Sequence, residues 1–324
     1  MSAISLPGPA RVVIRQHRRP LWGAGVLALA GIAALVGVIL WPDSAADTFA
    51  ESGCSVEHTV RGCGDIVRDF LDFELRTRQA VGYATAAMMA LPAFVGLFVA
   101  GPVIGRELES GTYRLAWTQS VSPARWLAAK LAVPAVLTLA GVAVLSAVCA
   151  WARSRTKGTH YPVDWYDRAL YGSIGTVPVA YALCMLALGA LAGLVLRHTV
   201  AAMVTTVIGY GALATAMNMV RYDLWPTVTG TFGLDHQGGI PDGAVPVARG
   251  WLTADGNRLP EEACRSWGTD FKQCLADEGI AQRYADYHPA SHLWPLQLVE
   301  TGILLALAAL AVLLAFRVLR RRHG

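Results

Sequence analysis

Six stretches of about 20 apolar residues decide what this chain can fold into. A helix rising about 1.5 Å per residue needs that length to cross about 30 Å of hydrocarbon. They are Leu21–Trp41, Ala80–Ile104, Trp126–Trp151, Leu170–Leu196, Val200–Val220 and Leu296–Phe316. Composition agrees: 54% of the 324 residues are apolar and 15% are charged, against about 25% charged in soluble domains. The chain therefore reads as all-α, a polytopic membrane protein of six transmembrane helices forming a single domain over residues 1–324. Its first apolar stretch follows basic residues, as a secretory leader would. It is too long for one, however, and no small-residue cleavage site precedes Pro42, so it reads as a retained span. A net charge of +4 with no dominant basic block does not suggest a nucleic-acid partner, and none is expected.

Orientation follows from Lys and Arg beside the spans. Arg11, Arg15, Arg18 and Arg19 precede the first span, and "FRVLRRRHG" ends the last. Both termini are thus expected in the cytoplasm of a plasma-membrane protein, as an even span count requires. Arg106, Arg114, Arg125 and the turn Arg197-His198 fall on the same side. The segment Trp151–Pro162, with Arg153, Arg155 and Lys157, runs against the rule. Cys54 and Cys63 fall in the first external loop, Cys264 and Cys274 in the last, and an oxidising exterior would pair them as two local disulfides.

The first external loop, Pro42–Gln79, is acidic, and "GDIVRDFLDFELRTR" carries Ile66, Phe70, Phe73 and Leu75 near helical spacing. A short helix leading into span two is expected there. The loop Arg221–Pro295 is the longest; rich in Gly, Pro and Trp, it reads as a compact external cap. Pro92, Pro134 and Pro178 fall inside spans two, three and four, where proline removes a donor and bends a helix. Small residues recur at Gly82–Ala87 and Ala187–Leu194, which lets helices approach closely.

Between spans two and three lies "GRELESGTYRLAWTQSVSPARWLAAKL", richer in chemistry than a linker needs. Gly111 breaks the outgoing helix. "TYRLAWTQ" then suits two helical turns, with Tyr113, Ala116 and Trp117 on one face and Arg114 and Thr118 on another. Ser122 is the expected N-cap of the next helix, with Pro123 at its first position. Lys130 is expected to snorkel to the interface. On physical grounds this is either an amphipathic helix lying on lipid or a coupling helix pressed by a soluble partner.

These residues strongly resemble the permease subunits of type-2 ABC exporters, in the branch common in actinobacteria. The resemblance is carried by Arg106-Glu107-Leu108-Glu109, Gly111-Thr112, Leu115 to Ser120 and Arg125-Trp126, and by "YHPASHLWPLQLVETGI" with Trp294, Gln297 and Glu300. It implies a coupling role for Arg106, Glu107, Glu109, Gly111, Thr112, Tyr113, Arg114, Trp117 and Gln119. It also implies a separate ABC ATP-binding subunit carrying ATP and Mg, and a permease homodimer in the lipid membrane. No GxxxxGK[ST] occurs, so the chain itself has no ATPase motif and is not expected to be an enzyme or to bind a cofactor.

His288 and His292, four residues apart, suit one helix face, but no third ligand is evident, so they read as surface histidines with no metal. Glu300 is a carboxylate within a span, which makes it a functional candidate, with Gln297, for the outer gate. The plainer reading is an interface residue satisfied by Gln297, Trp294 or the external cap. Two other function classes stay open: an intramembrane or cell-surface enzyme using the last loop with Glu300, His288 and His292, and a non-transporting sensor or immunity protein.

Overall fold

The computed structural model describes residues 18–40, 44–57, 61–113, 122–234, 239–264 and 269–323. It is mostly helical, and six of its helices are long and apolar enough to cross a membrane. The chain belongs to the all-α polytopic class that its apolar stretches predict. Two compact units emerge: Met1–Thr215 with Thr301–Gly324, and Ala216–Glu300. The sequence reading had taken 1–324 as one domain.

In the first unit, α1 spans Arg18–Leu40 and α2 spans Ser44–Ser52. Helix α3, Gly64–Phe94, passes through a π-helical turn at Val95–Ala100 into α4, Gly101–Glu109. Together these 46 residues run for about 69 Å, more than twice the hydrocarbon thickness. The expected short helix before span two is thus the polar start of one long rod. Pro92 lies inside α3; it lacks the N–H that the Met88 carbonyl would accept, and the π turn follows it directly.

Helix α5 spans Pro123–Ser154 and holds Pro134 in its interior. Ser122 caps it with extended backbone, its hydroxyl accepting from Arg125 N at 3.4 Å. Span four is divided. A single turn, α6 at Arg168–Tyr171, precedes a break containing Gly175 at φ 72°, and α7 spans Val177–Leu196. Pro178 therefore occupies the first turn of α7, where its missing donor costs nothing, and does not kink a span. Helix α8 spans Thr199–Val220.

Helix α7 is apolar on every side, which suits a helix enclosed by others, and it is the most buried of the six. Glycine makes this enclosure possible. A Cβ on Gly96 would lie 2.5 Å from Thr206 Cγ2, and one on Gly189 would lie 2.6 Å from Ala100 Cβ. Gly193 and Gly105 meet closely enough that a Cβ on the first would sit 3.2 Å from the backbone N of the second. The π turn and α4 thereby touch α7 and α8 nearly backbone to backbone. Tyr210 of α8 also donates its hydroxyl to the Met89 carbonyl of α3.

The second unit departs from the helical expectation. It holds a four-stranded antiparallel sheet of β1 Val228–Gly233, β2 Val245–Thr253, β3 Arg258–Pro260 and β4 Ile280–His288, in the order β1-β4-β2-β3. Helix α9, Thr269–Asp277, packs Phe271, Cys274 and Leu275 on Trp251, Cys264 and Ile280. The last helix, α10, spans Leu293–His323. Both cysteine pairs form disulfides, with Cα atoms 5.8 Å apart for Cys54–Cys63 and 5.9 Å for Cys264–Cys274.

Candidate coupling site and the buried carboxylates

The segment that joins α4 to α5 is held at its neck by two carboxylates. Glu107 accepts from Trp126 Nε1 at 3.1 Å and from Lys130 Nζ at 2.5 Å. Trp126 and Lys130 are four apart on α5, so one carboxylate meets both from the same helix face. The Lys130 side chain is only 7% exposed. Its ammonium group is held by Glu107 instead of extending into solvent.

Glu109 turns the other way, since residues two apart on a helix point to nearly opposite sides. Its Oε2 accepts from Thr199 N at 2.9 Å and Thr199 Oγ1 at 2.7 Å, and His198 Nδ1 lies 3.5 Å from Oε1. A carboxylate from another segment thus takes one orphan N–H at the start of α8, where the helix dipole favours negative charge. Arg197, in left-handed backbone at φ 53°, makes the tight turn between α7 and α8. Arg322 closes the same region by donating to the Leu194 carbonyl at 2.9 Å.

Around these bonds lies an apolar cluster of Val103, Ile104, Trp126, Leu127, Leu194 and Leu319, against which Tyr113 packs. Arg106 and Thr112 are exposed. Gly111 has φ 73°, and the Ser110 and Thr112 hydroxyls meet at 3.0 Å beside it. Arg114, Trp117 and Gln119, with the rest of the expected two-turn helix, lie outside the described residues. Of the nine coupling residues read from sequence, the structure thus brings Glu107, Glu109 and Tyr113 onto the spans. It leaves Arg106 and Thr112 facing outward.

A fully buried carboxylate lies in the Ala216–Glu300 unit. Glu300 is fully buried, and its Oε2 accepts from Arg221 Nε at 3.3 Å. Arg221, 6% exposed at its side chain, also donates to Asn218 Oδ1 at 3.3 Å. Gln297 is buried beside Glu300 in sequence, while Trp294 is exposed. Arg221 was absent from the sequence-derived site. Its one signal was its place directly after the apolar run Val200–Val220, where a lone cation has little solvent of its own.

His288 is buried, contrary to the surface reading. Its Nε2 meets the Tyr222 carbonyl at 2.9 Å, and its Nδ1 meets His292 Nδ1 at 2.9 Å. A carbonyl only accepts, so Nε2 carries a proton there, and one of the two rings donates across the Nδ1–Nδ1 contact. Among the described residues no group of three or more His, Cys, Asp or Glu could hold a metal ion. In the other unit, Glu74 Oε2 accepts from the backbone N of His160 at 2.9 Å and lies 3.0 Å from its Nδ1.

No curated protein and no solved structure matches the chain. A family model described as ABC-2 membrane transporter related matches residues 24–221, from α1 to the Arg221 of the buried pair. That match takes in more than half of the chain, the π turn, the glycine contacts and both carboxylate tethers: the chain belongs to the ABC-2 membrane transporter related family.

Proposed function

We propose that this permease-family chain moves a substrate out across the plasma membrane with energy from a separate ATP-binding subunit. It works as a dimer with both termini in the cytoplasm, and ATP and Mg act on the partner. The observation that carries the reading is the double anchoring of the α4–α5 segment: Glu107 to α5 and Glu109 to α8. A loop that only connected two spans would need neither bond. With both, a push on the segment reaches α4, α5 and α8 together, and the glycine contacts pass it on to α7.

The sequence holds no P-loop, so the force must come from another chain. Closure of the partner's nucleotide sites would press the segment and shift the bundle between inward- and outward-facing populations. In the same reading Glu300, with Gln297, shapes the outer gate, where its carboxylate pairs with Arg221.

Co-purification tests the docking. The full chain, isolated in mild detergent from cells that express it natively, should bring down a P-loop ATPase. Arg114→Glu and Trp117→Ala should each reduce that recovery while the permease still inserts in the membrane. Equal recovery with all three proteins would remove the coupling assignment.

A further inference from the structure

A groove of about 370 Å³ runs between α5, α7 and α10, and the coupling reading makes no use of it. Its lining is apolar throughout, with Ala128 and Ala132 on α5, Leu186 and Ala187 on α7, and Ala309 and Phe316 on α10. The small residues on two of the three helices make a slot, not a flat lipid-facing wall.

The slot ends in charge. Arg125 lies three residues before Ala128 on α5, and Arg320 lies four after Phe316 on α10, so each continues its helix's groove stripe by one turn. Trp126 and Leu319, next to them in sequence, are buried in one cluster, which sets the two arginines at the same level. Both arginines are exposed, and among the described residues neither side chain has a hydrogen bond or ion pair. An apolar groove with two guanidinium groups one helical turn beyond its lining residues has the chemistry of one amphiphile.

We propose that the groove binds an anionic phospholipid, one acyl chain lying along Ala128–Ala132 and Ala309–Phe316 and the headgroup phosphate between Arg125 and Arg320. Guanidinium groups favour phosphate by charge and by bidentate hydrogen bonds, and a net negative headgroup keeps the attraction that a choline would offset. Occupancy would fill the space between three spans and fasten α10 to α5 at one membrane face.

The test uses the full chain purified in neutral detergent, stripped of lipid and titrated with phosphatidylglycerol or phosphatidylcholine. Native mass spectrometry counts bound lipid, and thermal unfolding is followed in parallel. Phosphatidylglycerol should bind at about tenfold lower concentration than phosphatidylcholine, from two arginines near the headgroup, and should raise Tm. The Arg125→Gln/Arg320→Gln double variant should lose that preference, and Ala309→Phe should lose the bound lipid. Equal binding of the two lipids, or an unchanged preference in the double variant, would overturn the proposal. So would an Ala309→Phe chain that keeps its lipid but loses dimer, which would make the groove a contact between copies. The arginine variants alter exposed groups only, so they decide the matter even where Ala309→Phe fails to fold.

Discussion

Two glutamates each close the neck of an excursion from the bundle, and they do so on very different scales. Glu107 reaches Lys130, 23 residues on, across a segment whose sequence holds no cysteine. Glu300 reaches back 79 residues to Arg221, so that the pair joins the two ends of a unit with its own sheet, apolar cluster and Cys264–Cys274 link. Loop entropy grows slowly with length, and the longer closure costs only about 1 kcal/mol more. The contrast therefore lies in what the pair serves. The Ala216–Glu300 unit has a sheet and an apolar cluster of its own, whereas Glu107 and Glu109 tie the ends of the short segment to the spans.

Exposure sharpens the contrast. Glu300 is fully buried, whereas the Glu107 side chain keeps 19% exposure and two donors. Glu300→Leu should give the largest effect, since it removes the carboxylate that faces the buried Arg221 cation, a loss of about 3–5 kcal/mol for a buried pair. Replacing both partners with apolar residues should recover much of that loss. Thermal unfolding of Glu300→Leu, Arg221→Met and the double variant gives the cycle, and additive losses would break the view of the pair as a joint.

Glu107→Leu should cost less, about 1–3 kcal/mol, because the Glu107 side chain is partly exposed where Glu300 is fully buried. Its signature should be functional instead. The variant should still recover the ATPase partner, but ATP hydrolysis in the complex should lose its response to the permease. A Glu107→Leu chain as unstable as Glu300→Leu, with normal coupling, would erase the distinction between the two necks.

What the sequence disclosed follows the physics of each part. The six spans were legible because hydrocarbon demands about 20 apolar residues, a pattern nothing else imitates. The Ser122-Pro123 helix start was legible because capping is local chemistry. Pro178 was misplaced because an apolar run does not show where a helix begins inside it. The sheet was not legible: β1 is "VTGTFG" and β2 "VPVARGWLT", short strands broken by Gly and Pro whose order comes from pairing with β4. The carboxylate partners were beyond reach too. Arg221 and Glu300 lie 79 residues apart, and Lys130 read as a snorkelling residue because Glu107 could not be placed beside it without the turn at Gly111.

The central claim is that the α4–α5 segment is the face on which an ATP-binding subunit presses. Photo-crosslinking in intact membranes tests it most directly, with a photoreactive residue placed at exposed Thr112 and, as a control, at exposed Lys157 just past α5. The account predicts a crosslink from position 112 to a P-loop ATPase, strengthened by a non-hydrolysable ATP analogue, and none from position 157. A crosslink from 157 with none from 112 would contradict it.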